Sequence, residues 1–595
     1  MPLKTRHEMD PLYQWDLSHI FESDAAWEAA FAQLAAQTGA IEAHRGQLGT
    51  VEGAHAALDA YYALAERAER VYLYAELKKA GDNGDQNAQA MQDRALGLLV
   101  GLGAAASFLT PELAALPEET LSGYLASEAL EPYRHGIADI IRGRAHVLGA
   151  EQEHMLALLA DAAQTPDNSF TMLANVDMTF PEIEDENGQK AQLTHGNYNV
   201  FRESRNPAVR KAAFEAYQGE FGKYINTFAA LYAGSVKLDG YFAKVRRYDS
   251  ALDQALFGNA VPEAVYHSLI EAVHQSFPAM EQYLTLRKKA LNLSELHMYD
   301  LYCPMVEGVE ASYTLEEAQA LVKEALAPLG PEYGALLDKA FEGHWIDAYE
   351  NKGKTTGAFS CGVYGVHPYV LLNFTNTLDD VFTLAHEIGH ALHSYKSDAA
   401  QSYANHDYAI FVAEVASTVN EVLLTLQLLD TEKDPRRRAY YLNHFLEGFR
   451  TTLYRQTLFA EFEMEAHAMA QRGEALTPDV LSGLYRRLNE AYYAGAVVDE
   501  LQDLEWARIP HFYNAFYVYQ YATGFSAAVD IATRIRKSGD ASGYLRFLAT
   551  GGSDYPIEEL KLAGVDLSKP QAVEGALGVF TRSVAELDEL LQKMI

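Results

Sequence analysis

The chain has 595 residues, of which 47 are Lys or Arg and 82 are Asp or Glu, giving a formal net charge of -35 at pH 7. A negative charge of this size disfavours nucleic acid and anionic membranes, so we expect neither as a binding partner. Hydrophobic residues make up 49% and charged residues 22%, which is ordinary for a globular protein, and the length exceeds that of one simple core. The sequence therefore predicts at least two domains.

The cysteine content and the first residues indicate where the protein works. Cys303 and Cys361 are its two cysteines, too few for a disulfide framework and compatible with a reducing compartment. Met1 to His7 contain no apolar core and no small-residue cleavage site, so we expect no signal peptide. We predict a cytoplasmic protein.

Helical patterning dominates the N-terminal part of the chain. Residues from about Asp24 to Gln164 read as successive amphipathic helices with short polar breaks. The longest apolar stretch, Ala95 to Leu109, is rich in Gly and Ala and is too short to span a bilayer, so it predicts a packed helix.

A hairpin is predicted from Phe180 to Leu193, with Asn187-Gly188 as its two-residue turn. Helices resume after Asn206-Pro207. We therefore divide the chain into a helical N-terminal lobe, residues 1–200, with the hairpin near its end, and a second lobe, residues 201–595.

Two local patterns follow in the second lobe. Thr314 to Glu317 is a capping box, and the helix that it opens should end near Pro328-Leu329-Gly330. Tyr369 to Phe374 is apolar and β-branched enough for a strand, and the preceding segment, Gly357 to Val366, is rich in glycine. The strand could pair with an extended peptide, and the glycines would let a backbone approach closely, but an ordinary strand and turn explains the pattern equally well.

The segment His386-Glu387-Ile388-Gly389-His390 is an H-E-x-x-H motif on a helix that Thr377 and Asp380 would open. Histidines four apart lie about one turn apart on one helix face, so both imidazoles can point at one ion. Glu387 can then reach a water bound to that ion. The flanking residues are apolar, and a buried helix with unpaired polar groups would be costly unless a metal satisfies them. The alternative is a surface helix that carries two histidines by chance.

Catalytic zinc usually takes three protein ligands and one water. The metzincin pattern would need glycine at position 393 and histidine at position 396, where this chain has His393 and Lys396. Glu414 interrupts an apolar helical run and is our candidate for the third ligand; a buried salt bridge or a capping role would also explain it. Glu421, two turns on, is a candidate to hold a ligand histidine in its productive tautomer.

The remaining histidines near these segments are weaker candidates for metal ligands. His393 is expected to be structural. His406, His444 and His467 have no ligand spacing to recommend them.

Together these segments resemble the thimet-oligopeptidase-like zinc metallopeptidases. The likeness spans most of the chain and rests on the segments 15–18, 194–198, 386–393, 414–421 and 511–524. The resemblance implies one zinc ion per chain, held by His386, His390 and Glu414. It also implies internal cleavage of short unfolded peptides by a mainly α, two-lobed protein with a deep substrate channel and a small β element beside the zinc helix; residues 201–595 would be the catalytic lobe.

The family also supplies tyrosine and histidine donors from a late segment, which stabilise the negative charge that develops on the substrate carbonyl oxygen. If that segment is helical here, Tyr513, Tyr517 and Tyr521 form one stripe, which by itself is equally typical of an aromatic core. On the resemblance we select His511, Tyr513 and Tyr517. We do not rank Tyr519 and Tyr521 as candidate donors.

The sequence thus predicts a zinc endopeptidase of short peptides, with Glu387 as the general base for a zinc-bound water. One alternative is a dipeptidyl carboxypeptidase-type exopeptidase, which needs an anchor for a peptide terminus that we cannot recognise here. Another is a non-catalytic peptide-binding scaffold with structural zinc, which usually has a fourth protein ligand. Neither cysteine lies near the motif in sequence, although Cys361 could approach it in the fold. The oligomeric state is not predicted.

Overall fold

A computed structural model describes residues 3–306 and 312–594 of the chain. About 70% of the protein is helical and 3% is in strands, which confirms the predicted mainly α fold. The chain forms two compact units, each assembled from three segments. Unit 1 comprises Met1–Ala145, Ala311–Gln427 and Ile531–Val565, and unit 2 comprises His146–Glu310, Leu428–Asp530 and Asp566–Ile595. The predicted division at residue 200 stays a prediction, as does the substrate channel.

In chain order the described α-helices are α1 (Asp24–Ala35), α2 (Val51–Gly81), α3 (Gln86–Ala106), α4 (Leu109–Ala114), α5 (Glu118–Leu125), α6 (Arg134–Gly143), α7 (Ala150–Ala163), α8 (Thr165–Met172), α9 (Tyr198–Glu203), α10 (Pro207–Lys223), α11 (Ile225–Val245), α12 (Ala251–Phe257), α13 (Glu263–Gln275), α14 (Phe277–Ala290), α15 (Leu315–Ala325), α16 (Pro331–Glu342), α17 (Leu378–Ala400), α18 (Ile410–Thr431), α19 (Pro435–Gly448), α20 (Arg455–Gln471), α21 (Pro478–Tyr492), α22 (Tyr519–Ser538), α23 (Ser542–Phe547), α24 (Pro556–Leu562) and α25 (Gln571–Met594). The strands are β1 (Glu182–Glu184), β2 (Lys190–Gln192), β3 (Ile346–Asp347), β4 (Phe359–Cys361) and β5 (Tyr369–Leu371).

The N-terminal part of unit 1 is built around the two long helices α2 and α3, which pack along each other. Helix α2 begins where the Thr50 side chain accepts a hydrogen bond from the Gly53 amide at 3.1 Å. Trp27 of α1 is fully buried, and its Nε1 donates to the Val71 carbonyl at 2.7 Å. The indole nitrogen therefore keeps a partner inside this core.

Two helical stretches of the described residues are long and apolar enough to cross a membrane, judged by length and composition alone: Gln86–Ala114 and Ile410–Thr431. The first contains the apolar stretch Ala95 to Leu109 and, at 29 residues, is longer than predicted. In the second, 72% of the most apolar window is buried inside the protein, against 33% in the first. Burial of this extent is typical of a core helix, so it favours packing for Ile410–Thr431.

A small sheet lies beside α17 in unit 1, which confirms the predicted β element next to the motif helix. Its strand order is β3-β5-β4, with β3 parallel and β4 antiparallel to the central strand β5. All three residues of β5, Tyr369 to Leu371, are fully buried. Gly357 and Gly365, on either side of β4, adopt φ of +80° and +75°, a conformation that favours glycine.

The predicted hairpin is present in unit 2 as β1 and β2, with Glu182 opposite Gln192. The predicted two-residue turn is wrong, because the connection runs from Asp185 to Gln189. The Asp185 carboxylate accepts hydrogen bonds from the amides of Asn187 at 2.8 Å and Gln189 at 2.9 Å, and thereby stabilises a longer loop. Gly188 still supplies the positive φ, +73°.

The predicted capping box is also present. Thr314 Oγ1 accepts from the Glu317 amide at 3.2 Å, and Glu317 Oε2 accepts from the Thr314 amide at 2.9 Å. Helix α15 ends at Ala325, and the chain then turns at Gly330, which has a φ of +95°. Local sequence signals therefore located the start of this helix and placed its end a few residues too late.

Candidate metal centre

Helix α17 holds the H-E-x-x-H motif in the core of unit 1. Thr377 is its N-cap, as expected for the predicted helix start, and forms a capping box with Asp380. Leu384, Ala385 and Ile388 are fully buried, so the apolar faces of the helix fix its rotation. The positions of the motif side chains follow from that rotation.

Helix α18 lies very close to α17, and Gly389 makes this approach possible. A Cβ atom at position 389 would lie 2.7 Å from the Cα atom of Ser417 and 3.0 Å from the Ala416 carbonyl oxygen. Asn420 Nδ2 donates to the Ala385 carbonyl at 3.1 Å across the same contact. We did not select Gly389 or Asn420 from the sequence; the one available signal was a glycine inside a helical pattern.

The close packing brings three side chains together. His386 Nε2 and His390 Nε2 are 3.1 Å apart, and Glu414 Oε2 lies 3.6 Å from the first and 3.8 Å from the second. Donor atoms that share one zinc-sized ion at about 2.0–2.2 Å lie roughly 3.2–3.6 Å apart, and the observed distances of 3.1–3.8 Å are within a few tenths of an ångström of this spacing. Among the residues that the structure describes, no other group of three His, Cys, Asp or Glu side chains meets the distance criterion for a metal.

Glu421 contacts the side of His386 that faces away from this group. The distance from His386 Nδ1 to Glu421 Oε1 is 2.5 Å. A hydrogen bond there leaves the proton on Nδ1 and the Nε2 lone pair free to bind a metal. Burial opposes protonation of His386, but the hydrogen bond and charge of Glu421 outweigh it and raise the pKa of His386 to about 9. Without a metal, Nε2 therefore also carries a proton near neutral pH, and a metal ion must displace that proton to bind.

Glu387 lies on α17 between the two histidines and is 7% exposed. Burial raises the pKa of its carboxyl to about 7, and the neighbouring charges of Glu414 and Glu421 act in the same direction, against that of His386. A pKa near neutrality suits a group that accepts a proton and then returns it. Burial, with the charge of His386, lowers the pKa of His390 to about 3, which keeps this imidazole neutral.

His393 follows one turn later and is 1% exposed. Its ring stacks on Tyr408 with centroids 3.6 Å apart and also packs near Phe547 at 5.4 Å. Burial lowers the pKa of His393 to about 3, so it is a neutral ring in the core. The expectation that His393 is structural agrees with these contacts.

The late segment belongs to unit 2 and is not one helix. Pro510–Tyr513 form a short 3-10 turn, and α22 begins at Tyr519. Between them Phe516 has a φ of +58°, which interrupts helical periodicity. The predicted single stripe of tyrosines is therefore wrong. The Phe516 amide donates to Glu463 Oε1 at 3.1 Å, so a buried carboxyl group holds the turn.

Contacts between rings, and not helical spacing, divide the candidate residues of the late segment. The rings of Tyr517 and Tyr521 are 5.4 Å apart, and those of His511 and Tyr521 are 6.0 Å apart, so these three form one group. Tyr513 instead packs its ring on Phe170 at 4.6 Å.

The fifth aromatic candidate, Tyr519, is a core residue. It is 2% exposed, and its ring lies 5.1 Å from that of Tyr266. The backbone turns between Tyr513 and Tyr519. Spacing counted from Tyr513 therefore could not show which of Tyr519 and Tyr521 lies in the core.

Comparison with known proteins identifies the family. Residues 200–579 match the sequence model described as Peptidase family M3, and residues 112–180 match that described as Oligopeptidase F. The chain is 43% identical to Oligopeptidase PepF of Bacillus subtilis, over all of this chain and 89% of that protein. It is 38% identical to an oligoendopeptidase F homolog of Lactococcus lactis, over 99% of each chain.

Solved structures agree with these sequence relationships. A Chlamydophila abortus protein, 34% identical, superposes with a TM-score of 0.95 over 99% of this chain and 100% of that one. Oligoendopeptidase-F from Enterococcus faecium, 37% identical, has a TM-score of 0.73 over 96% of this chain and 99% of that one. The chain therefore belongs to peptidase family M3, in its oligoendopeptidase F group, and is a metallo-endopeptidase.

Proposed function

We propose that the protein is a zinc-dependent endopeptidase that hydrolyses internal bonds of short unfolded oligopeptides. The observation that carries this proposal is the convergence of His386, His390 and Glu414, whose ligand atoms all lie within 4.8 Å of one another, with Glu387 beside them. Membership of the family supports peptide hydrolysis, and the donor set supports the metal.

His386, His390 and Glu414 would hold one zinc ion per chain. Two imidazole nitrogens and one carboxylate oxygen form a donor set that catalytic zinc sites use, and a three-ligand set leaves one position open. When bound, zinc polarises a substrate carbonyl and lowers the pKa of a water molecule. Cys303 and Cys361 contribute no ligand to this group, so a structural site closed by a cysteine is disfavoured.

Glu387 is the proposed general base and acid. Its buried carboxyl group takes the proton from the attacking water and delivers it to the leaving amine. Glu421 acts through His386: by accepting from Nδ1 it holds the imidazole in the tautomer and orientation that a ligand needs.

His511, Tyr513 and Tyr517 are the proposed donors to the oxyanion that forms from the substrate carbonyl. Tyr521 joins this proposal because its ring contacts both His511 and Tyr517. Tyr513 is set apart from the other two first choices, since its ring packs against Phe170.

The strand that the sequence offered for peptide pairing, β5, is paired on both sides, so the edge strand β4 is the proposed docking site for an extended peptide instead. In the described part of the chain it is an edge strand, paired with β5 on one side, and it packs beside α17. An edge strand can hold a peptide by main-chain hydrogen bonds without reading its sequence. The proposed substrates are short peptides of varied sequence. The proposed compartment is the cytoplasm, because both cysteines of the protein are free and a reducing compartment keeps them so.

A quenched-fluorescent peptide with both termini blocked tests this function, with and without a zinc chelator. We expect cleavage at an internal bond, its loss on chelation and its return on adding zinc. Cleavage of a peptide with free termini but not of the blocked peptide would favour the exopeptidase alternative. Full activity in excess chelator, with no zinc detected, would contradict a zinc-dependent reaction.

A further inference from the structure

A small buried cavity in unit 2, which Tyr198 of the segment 194–198 also lines, is bordered by arginine side chains. Its lining includes Arg202, Arg450 and Arg455 together with Tyr302 and Glu505. The free space is close to that needed by a single water molecule. A body of this size is monatomic or nearly so; sulfate and phosphate, with five heavy atoms, are too large.

The charges around the cavity do not balance. Two carboxylates form ion pairs with four arginines. These ion pairs, at 2.5–2.8 Å, join Arg287 and Arg450 to Glu447, and Arg455 and Arg508 to Glu505. Each carboxylate thus faces two guanidinium groups, and Arg202 adds a further positive charge. Five arginines and two glutamates leave three positive charges uncompensated in a buried region, which is costly without an anion.

Of these five arginines, Arg202 is the one that has no carboxylate partner among the described residues. It is 6% exposed, its Nη2 donates to Asn199, and its Nε has no hydrogen-bond partner there. Its guanidinium lies over the ring of Tyr302 at 3.5 Å and over that of Tyr198 at 4.4 Å. Stacking on rings offsets part of the desolvation cost of a buried cation, but it supplies no negative charge.

Two further side chains at the cavity can donate to an anion. Gln218 is 1% exposed, and its Oε1 has no hydrogen-bond partner among the described residues. Rotating the side-chain amide by half a turn exchanges this oxygen for the NH2 group, which can donate to an anion. Tyr302 has a second guanidinium, that of Arg450, 4.5 Å from its ring. Burial opposes ionisation of Tyr302, but the charges of Arg455, Arg202 and Arg450 outweigh it and lower its pKa to about 7. The cavity therefore lies at a positive potential.

We propose that this cavity binds one halide-sized anion, chloride under ordinary conditions, between the guanidinium groups of Arg202 and Arg450 and the hydroxyl of Tyr302. The anion compensates part of the buried positive charge of unit 2. It binds the folded protein and not the unfolded chain, so its occupancy raises stability by mass action. This inference does not depend on the metal centre or on the peptidase reaction.

Thermal unfolding of the full chain in sodium chloride, with ionic strength held constant by sodium gluconate, tests the site. We expect a saturable rise in Tm of roughly 2–4 °C with chloride and with bromide, and none with gluconate or sulfate. Arg202→Met should abolish the chloride-specific rise. Arg487→Met, which removes an exposed arginine of unit 2 paired with Glu465, should keep it.

Bromide soaked into crystals of the unaltered protein gives a second test that needs no variant. An anomalous peak within hydrogen-bond distance of Arg202 is expected. Absence of both the peak and the chloride-specific rise in Tm would overturn the proposal. The proposal would also be overturned if Tyr302 showed tyrosinate absorbance at neutral pH and chloride did not change that absorbance. The phenolate of Tyr302 would then be the missing negative charge.

Discussion

The helix pair α17 and α18 and the late segment, residues 510–521, both carry candidate catalytic side chains, but they are built differently. In the helix pair the side chains lie on two regular helices that touch at Gly389, and helical spacing alone determines which of them share a face. In the late segment a 3-10 turn and the positive φ of Phe516 separate the aromatic residues. Spacing rules therefore hold inside one helix and fail across a turn that the sequence does not reveal.

The difference extends to burial and charge. Around α17 the ionisable groups Glu387, His386 and Glu421 influence one another, and the pKa values of His386 and Glu387 are both raised. In the late segment the candidates are His511 and the tyrosines, and packing sorts them: Tyr519 lies in the core, and His511, Tyr517 and Tyr521 lie together. The first region is suited to binding a cation and moving a proton, and the second to donating hydrogen bonds.

The largest effect is expected from Glu387→Gln in the helix pair. The amide keeps the size of the side chain but cannot take a proton from water, so kcat/KM should fall by about 10²–10⁴-fold. Zinc content should stay that of the unaltered protein, because Glu387 is not a proposed ligand. Peptide assays with metal analysis measure both, and near-normal turnover in this variant would refute the general-base role.

The next effect is expected from Tyr517→Phe in the late segment. Loss of one donor to the oxyanion should lower kcat by about 10²–10³-fold with little change in KM. Tyr519→Phe is the matched control, since that ring packs in the core against Tyr266, and its kcat should stay close to the original value. Equal losses in the two variants would contradict a specific role of Tyr517 as a donor to the oxyanion.

Gly389→Ala tests the contact that the helix pair depends on. The new Cβ would meet the backbone of Ser417 at 2.7 Å, so the helices must move apart, and we expect destabilisation of about 1–3 kcal/mol with weaker zinc binding. Gly97→Ala in α3 is the control, because a Cβ there meets nothing within 4 Å. Urea unfolding measures both variants. Unchanged stability and zinc affinity in Gly389→Ala would show that the helices need no close approach.

The smallest effect concerns the turn of the late segment. Burial raises the pKa of Glu463, so the folded protein keeps its proton at pH values at which the unfolded chain, with an ordinary pKa near 4.5, has released it. Stability is therefore lost as pH rises above about 4.5 toward the folded pKa. Glu463→Gln retains an acceptor for the Phe516 amide without titrating.

We expect the Tm of Glu463→Gln to match the unaltered protein near pH 4.5 and to exceed it increasingly at higher pH. A difference in Tm that is constant across this range would contradict the buried, protonated state of Glu463. Glu463→Leu, which removes the acceptor, should cost about 1–3 kcal/mol at any pH.

The sequence predicted features that neighbouring residues determine. The capping boxes at Thr314 and Thr377 and the strand at Tyr369 are local, and each is present in the structure. Glu414 was selected because a carboxylate inside an apolar helix needs a partner. No local pattern gives the three-segment composition of each unit, the contact at Gly389 or the arginine cavity around Arg202, because all of these depend on residues far apart in the chain.

Two errors of prediction arise where a side chain bonds to the backbone. The hairpin was recognised from Asn187-Gly188, but the Asp185 carboxylate, which caps two amides of the loop, lengthened the connection. The tyrosine stripe assumed a helix across Phe516, whose positive φ is held by Glu463 from another helix. A side chain that reaches back to the backbone changes local geometry without leaving a periodic signal.

Zinc content of purified His390→Ala, compared with that of the unaltered protein, tests most directly whether His386, His390 and Glu414 bind one metal ion. His444→Ala, a histidine outside the group, serves as the control. We expect one zinc per chain in the unaltered protein and in the control, and a nearly metal-free but folded His390→Ala. Full zinc occupancy in His390→Ala would contradict the account.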